Sequence, residues 1–110
     1  MRYSCEFIQM WINKPLLEQE ANIGSEVHRS ISWRLRNNPQ YSKTAFDISL
    51  ELIDLTLKSN LSQLQRNEIL RLKKSWSDFY LLKDSGKLTN EYWEEFFYRI
   101  TYTYAIRKGK

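Results

Sequence analysis

Apolar positions recur at helical spacing through most of the chain. Between Ser62 and Lys83, the residues Ile69, Leu72, Trp76 and Phe79 follow one another at 3-4-3 spacing, the seam of a helix packed nearly antiparallel to a neighbour. In the last segment Trp93, Phe97, Ile100 and Tyr104 repeat at 4-3-4. From Ser42 the apolar sector widens. Ala45, Ile48, Leu52 and Leu55 are joined there by Phe46, Ile53 and Leu57, as expected of the central helix of a bundle. Upstream, Val27, Ile31 and Leu35 mark a narrower stripe, and Tyr3, Phe7 and Met10 one side of a short helix.

Breaks between these segments carry their own chemistry. Pro15 suits a first helical turn, where its missing N–H costs nothing. Asn38-Pro39 stops the helix before it, because a residue preceding proline disfavours the helical region. Ser42 is expected to cap the central helix, and Ser59-Asn60 to separate it from the next. Asp84 to Lys87 reads as a turn with Gly86 in the left-handed position, and Thr89 as the cap of the last helix. Two points stay open. Gly24 with Ser25 either interrupts a helix or lies within one, and Ile100 to Tyr104 (ITYTY) has strand propensity inside a segment whose end charges favour helix. The expectation is an all-α fold, a compact bundle of four to five helices in a single domain spanning residues 1–110.

Composition narrows the function classes. Three glycines and two prolines argue against a barrel or sandwich of tight turns, while 42% apolar residues support a genuine core. No apolar run approaches the roughly 20 residues that span a bilayer. The opening MRYSCEFIQMWI has no signal-peptide pattern, and a single cysteine, Cys5, suits a reducing compartment, so the expected location is cytoplasmic with no membrane partner. Catalysis lacks its usual parts. His28 is the one histidine, Cys5 reads as a small hydrophobe, and the three glycines form no phosphate loop. Asp47, Glu51 and Asp54 share a helix face that suits Mg²⁺ or Mn²⁺ in principle, but a solvated acidic face is the commoner reading. The expectation is a non-enzyme without a cofactor.

Charge then points to a partner. Seventeen Lys and Arg against thirteen Asp and Glu leave +4, a mild bias toward anionic partners. At about 100° per residue Trp33 falls opposite the Val27-Ile31-Leu35 stripe, between Arg29 and Arg36. There it either stacks bases with two guanidinium groups beside it or packs against another helix. Arg66, Arg71, Lys73 and Lys74 form a basic run, of which Arg66, Lys73 and Lys74 are expected to project away from the seam. Arg107 and Lys108 add positive charge at the end of the last helix. That helix also holds seven of the sixteen aromatic residues, more than one stripe can bury. Tyr98 and Tyr102, one turn apart and off the stripe, are candidate protein-interface residues.

The basic run from Arg66 to Lys74 and the aromatic, base-ending WEEFFYRITYTYAIRKGK of Trp93 to Lys110 resemble in organisation the small subunits of CRISPR effector complexes. That resemblance implies a non-catalytic helical subunit of a larger ribonucleoprotein assembly in antiviral defence. It would contact the backbone of single-stranded or displaced nucleic acid, DNA or RNA, without sequence specificity, alongside other subunits and further copies of itself. The alternative reading is a helical protein–protein interaction module, a homo-oligomer or adaptor, that uses its exposed aromatics.

Overall fold

The computed structural model describes residues 3–82 and 88–109. They form five helices, α1 (Cys5–Ile12), α2 (Leu16–Leu35), α3 (Pro39–Thr56), α4 (Gln63–Leu82) and α5 (Asn90–Lys108), and no strand. The Asp84–Lys87 turn expected from sequence lies outside the described residues. ITYTY is helical within α5, where Thr89 caps the first turn by accepting from Tyr92 N at 3.1 Å.

The junction between α2 and α3 follows from three residues. Asn37 has φ 61°, a left-handed conformation that asparagine tolerates. Around it Asn38 N donates to Trp33 O at 2.9 Å and Asn37 N to Arg34 O at 3.1 Å, the paired bonds that close a helix C-terminus. Asn38 then starts the next helix, its Oδ1 accepting from Tyr41 N at 3.0 Å, with Pro39 in the first turn. Asn38 therefore caps α3 four residues before the expected cap, Ser42. Ser62 caps α4 reciprocally. Its Oγ accepts from Gln65 N at 3.1 Å, and its own N–H donates to Gln65 Oε1 at 2.9 Å.

Helix α2 packs along α3 on one side and α5 on the other, while α1 and α4 pack on α3. All five helices contribute to one core, with Trp11, Ile23, Phe46, Ile69, Trp76 and Trp93 among its buried members. The α4 and α5 stripes are placed as expected, with Ile69, Leu72, Trp76, Phe79, Trp93 and Phe97 buried. Two stripe ends are not. Met10 and Leu35 are 58% and 67% exposed, and in α1 it is Trp11 that reaches the core.

Ser42 is an interior residue. With Ser49 and Thr56 it recurs every seventh position along α3, and all three are fully buried. Ser42 Oγ donates to Ser30 O at 2.7 Å and accepts from Tyr80 Oη at 2.7 Å. Ser49 donates to Phe46 O and accepts from Trp76 Nε1 at 2.9 Å. Thr56 donates to Leu52 O and accepts from Trp11 Nε1 at 3.1 Å. Each hydroxyl satisfies one ring donor that would cost about 1–3 kcal/mol if buried unpaired.

Helix α2 runs unbroken through Gly24, and the reason for the glycine lies across the interface. A Cβ there would stand 2.7–2.9 Å from Cδ1, Cγ and Cβ of Phe97. Those atoms are near the backbone of α5, so the two helices would have to separate. Gly24→Ala gains about 1 kcal/mol of helix propensity but incurs an overpacking penalty of about 1–3 kcal/mol. The expected outcome is a net loss of stability, read as a lower midpoint in urea unfolding. A midpoint equal to or above wild type would show that α5 accommodates the methyl group.

Candidate functional site

A groove of about 1,100 Å³ lies between the C-terminal half of α2 and the N-terminal half of α5. Gly24, Ile31 and Phe97 line it together with polar side chains. The close approach at Gly24 brings these helices together. The α2 wall supplies Arg29, Trp33 and Arg36, and the α5 wall supplies Tyr98 with the carboxylates of Glu91, Glu94 and Glu95. The fold thus assembles four of the residues singled out from sequence, and sets three acids opposite two arginines.

Trp33 is half-buried. Its ring meets Tyr41 edge-on at 5.0 Å, and the Arg36 guanidinium lies 5.4 Å from its centre. Arg29 is turned to its own helix, bonding Glu26 at 2.6 Å. Across the groove His28 Nδ1 meets Glu94 Oε2 at 2.7 Å, while His28 Nε2 is 3.4 Å from Ser32 Oγ. This is the order of nucleophile, base and orienting carboxylate. Acyl transfer also needs donors aimed at a developing oxyanion, and the backbone N–H groups of these helix-interior residues are committed to the helix. The array ties α2 to α5. The Ser32 spacing, one turn from His28, is legible in sequence; the arrival of Glu94 is not.

Of the α4 bases expected to project outward, Lys74 does, its side chain 80% exposed, whereas Arg66 and Lys73 turn toward α3. Arg66 is half-buried and donates to Leu57 O at 2.8 Å, closing the end of α3. Lys73 crosses to Asp54 on α3 at 2.8 Å. Both flank the core seam, because α3 lies on that side of α4. Lys74 bonds Asp78 at 3.1 Å on its own helix. Of the acidic face proposed on α3, Asp47 is bonded by Lys43 at 2.8 Å and Asp54 by Lys73. Arg71 points elsewhere, lining a smaller cavity of about 360 Å³ with Glu20, Glu68, Tyr92 and Phe96. Arg107 and Lys108 are exposed at the end of α5, where Lys108 lies 5.7 Å from the Tyr104 ring. Cys5 is exposed, not packed as a small hydrophobe.

A residue that the sequence reading passed over is Arg34. Its guanidinium donates to Tyr80 O at 3.0 Å and lies 4.4 Å from the Tyr80 ring centre, pinning the end of α2 to the end of α4. Tyr98 and Tyr102 are 65% and 55% exposed, their rings stacked at 6.1 Å. With Ile106, 44% exposed, they give α5 an apolar line on the side away from Trp93 and Phe97.

Glu20 carries a titration signature. Burial, and secondarily the Glu68 charge, push its carboxyl above the ordinary value. The folded state therefore holds this proton more tightly than the unfolded chain does, so stability falls as pH rises from the ordinary carboxylate range through the raised value. Glu20→Gln should raise the melting temperature at pH 7 and lose that advantage at about pH 3, where both states are protonated. Equal effects at both pH values would remove ionisation as the cause.

No family model, curated protein or solved structure matches this chain.

Proposed function

We propose that this chain is a non-catalytic protein-interaction module whose outward α5 face, with the adjoining groove, receives a protein partner. The carrying observation is the exposure of Tyr98 and Tyr102 on a helix already anchored from its other side by Trp93 and Phe97. Tyrosine suits this use, since its ring gains from burial while its hydroxyl stays hydrated until the partner arrives. Charge supports the same reading. Glu91, Glu94 and Glu95 beside the groove disfavour a polyanion there, and Arg66 and Lys73 are directed to α3.

A photo-cross-linking side chain in place of Tyr102, introduced in the native host, should yield a discrete adduct. The same group at exposed Lys58 should not. Equal labelling from both positions would sink the interface reading.

A second reading, sequence-independent binding of a single-stranded DNA or RNA backbone, is supported by the Trp33–Arg36–Tyr41 cluster. There an arginine and two aromatic rings meet beside solvent at the α2–α3 junction. Arg71, Arg107 and Lys108 would add diffuse attraction. Polarisation with labelled single strands across a salt series tests it. Trp33→Ala should cost about 1–3 kcal/mol if a base stacks there, and Arg36→Ala should flatten the salt slope by about 0.7. No binding at low salt would exclude this reading for the isolated chain. Both readings suit a subunit that works inside a larger assembly.

A further inference from the structure

We infer that the occupant of the outward α5 face is a second copy of this chain, with the two α5 helices antiparallel about a two-fold axis. The inference rests on the reading of that face as an interface and names its partner.

The line opposite the core seam runs Glu91, Glu95, Tyr98, Tyr102, Ala105 at 4-3-4-3 spacing, the repeat that keeps one face of a helix against another helix along its length. Helix α5 thus carries two seams. One is buried in its own fold, and the other presents Tyr98 and Tyr102 to solvent. Ala105 in the exposed seam and Thr101 beside it are small, exposed and one turn apart, which allows a second helix to approach closely.

The first turns of α5 hold Glu91, Glu94 and Glu95; the later turns hold Arg99, Arg107 and Lys108 and no acid. Some of this charge is partly compensated within the chain, since Glu94 meets His28 and Arg99 meets Glu95. The gradient along the helix remains. A parallel pair would set acids on acids and bases on bases. An antiparallel pair sets the basic end of each helix against the acidic start of the other, and opposes the two helix dipoles. Because one helix carries both signs of charge along its length, the same helix can serve on both copies, the condition for a closed two-fold interface.

The C-terminal half of α2 lines the groove with the N-terminal half of α5. A second α5 laid antiparallel on this seam therefore brings its own C-terminal turns toward Leu35, the most exposed of the large apolar side chains among the described residues. Ile106 of the second copy is the side chain suited to cover it.

Sedimentation across about 5–200 µM, the range in which an interface of modest quality titrates, tests this. The mass should rise from 13.4 kDa toward twice that value and fall on dilution. Tyr98→Lys with Tyr102→Lys should weaken association at least about tenfold while leaving the far-ultraviolet spectrum unchanged. Glu91→Lys/Glu95→Lys and Arg107→Glu/Lys108→Glu should each self-associate less, and mixing the two should restore the dimer. Direction is read with Cys5→Ser as background. Glu91→Cys mixed with Lys108→Cys should cross-link across copies, and Glu91→Cys alone should not. A monomer throughout, or cross-linking of Glu91→Cys to itself, overturns the inference. If the purified chain is monomeric and the Tyr102 cross-linker captures a different protein, only the identity of the occupant fails and the interface reading stands.

Discussion

The fold depends on a problem that its aromatic core creates for itself. Trp11, Trp76 and Tyr80 each bring a ring donor into a region from which water is excluded, and an unpaired donor there would offset much of what ring burial contributes. Helix α3 resolves all three from one face. Ser42, Ser49 and Thr56, spaced seven residues apart, donate hydrogen bonds to backbone carbonyls and accept from the rings. Apolar residues at these positions would leave the donors stranded, and larger polar ones would not fit between helices. The same hydroxyls set where α1, α2 and α4 meet α3, so the ladder satisfies polar groups and fixes register together. Gln19 extends the pattern near α1, donating to Trp11 O and Ser59 Oγ at 2.8 Å each.

With α3 central, the remaining geometry follows. Helix α2 has α3 on one side and approaches α5 closely on the other because Gly24 has no side chain to hold Phe97 away. That approach defines the groove and sets Glu94 against His28. Helix α4 leans on α3, so bases that look outward on a helical wheel reach α3 instead. Arg66 donates to Leu57 O at its end and Lys73 meets its carboxylate at Asp54. Surface contacts such as the exposed Lys73–Asp54 ion pair stabilise little. They do change what the surface offers, turning a presumed basic strip into a mixed one, while α5 exposes Tyr92, Phe96, Tyr98, Tyr102 and Ile106.

Helix α5 is therefore the element in which fold and function bear on each other most directly. Trp93 and Phe97 bind it to the bundle through its first turns. Beyond them Ile100 and Tyr104 are only half-buried, while Tyr98, Tyr102 and Ile106 face solvent. A helix anchored at one end, aromatic on both faces and graded in charge is suited to presenting a surface, and the groove beside it supplies a second wall for whatever docks there.

Helix identity, order and most of the core were determined by the sequence itself. Spacing of apolar residues places a side chain on a face, and caps such as Asn38, Ser62 and Thr89 act within a few residues of themselves. The seams of α4 and α5 could be read directly for that reason. Tertiary structure decided what depends on which helix stands opposite. A helical wheel places Ser42 near a helix start, and only packing makes it a partner of Tyr80. It shows Arg66 and Lys73 off the seam, and only the position of α3 commits them. It leaves Gly24 ambiguous, because a glycine that breaks a helix and one that admits a neighbour look alike until Phe97 is in view. The candidate site was half legible for the same reason. Tyr98 and Tyr102 stood out by exceeding what one stripe can bury, a property local to α5. The groove they border needed two helices, distant in sequence, to meet.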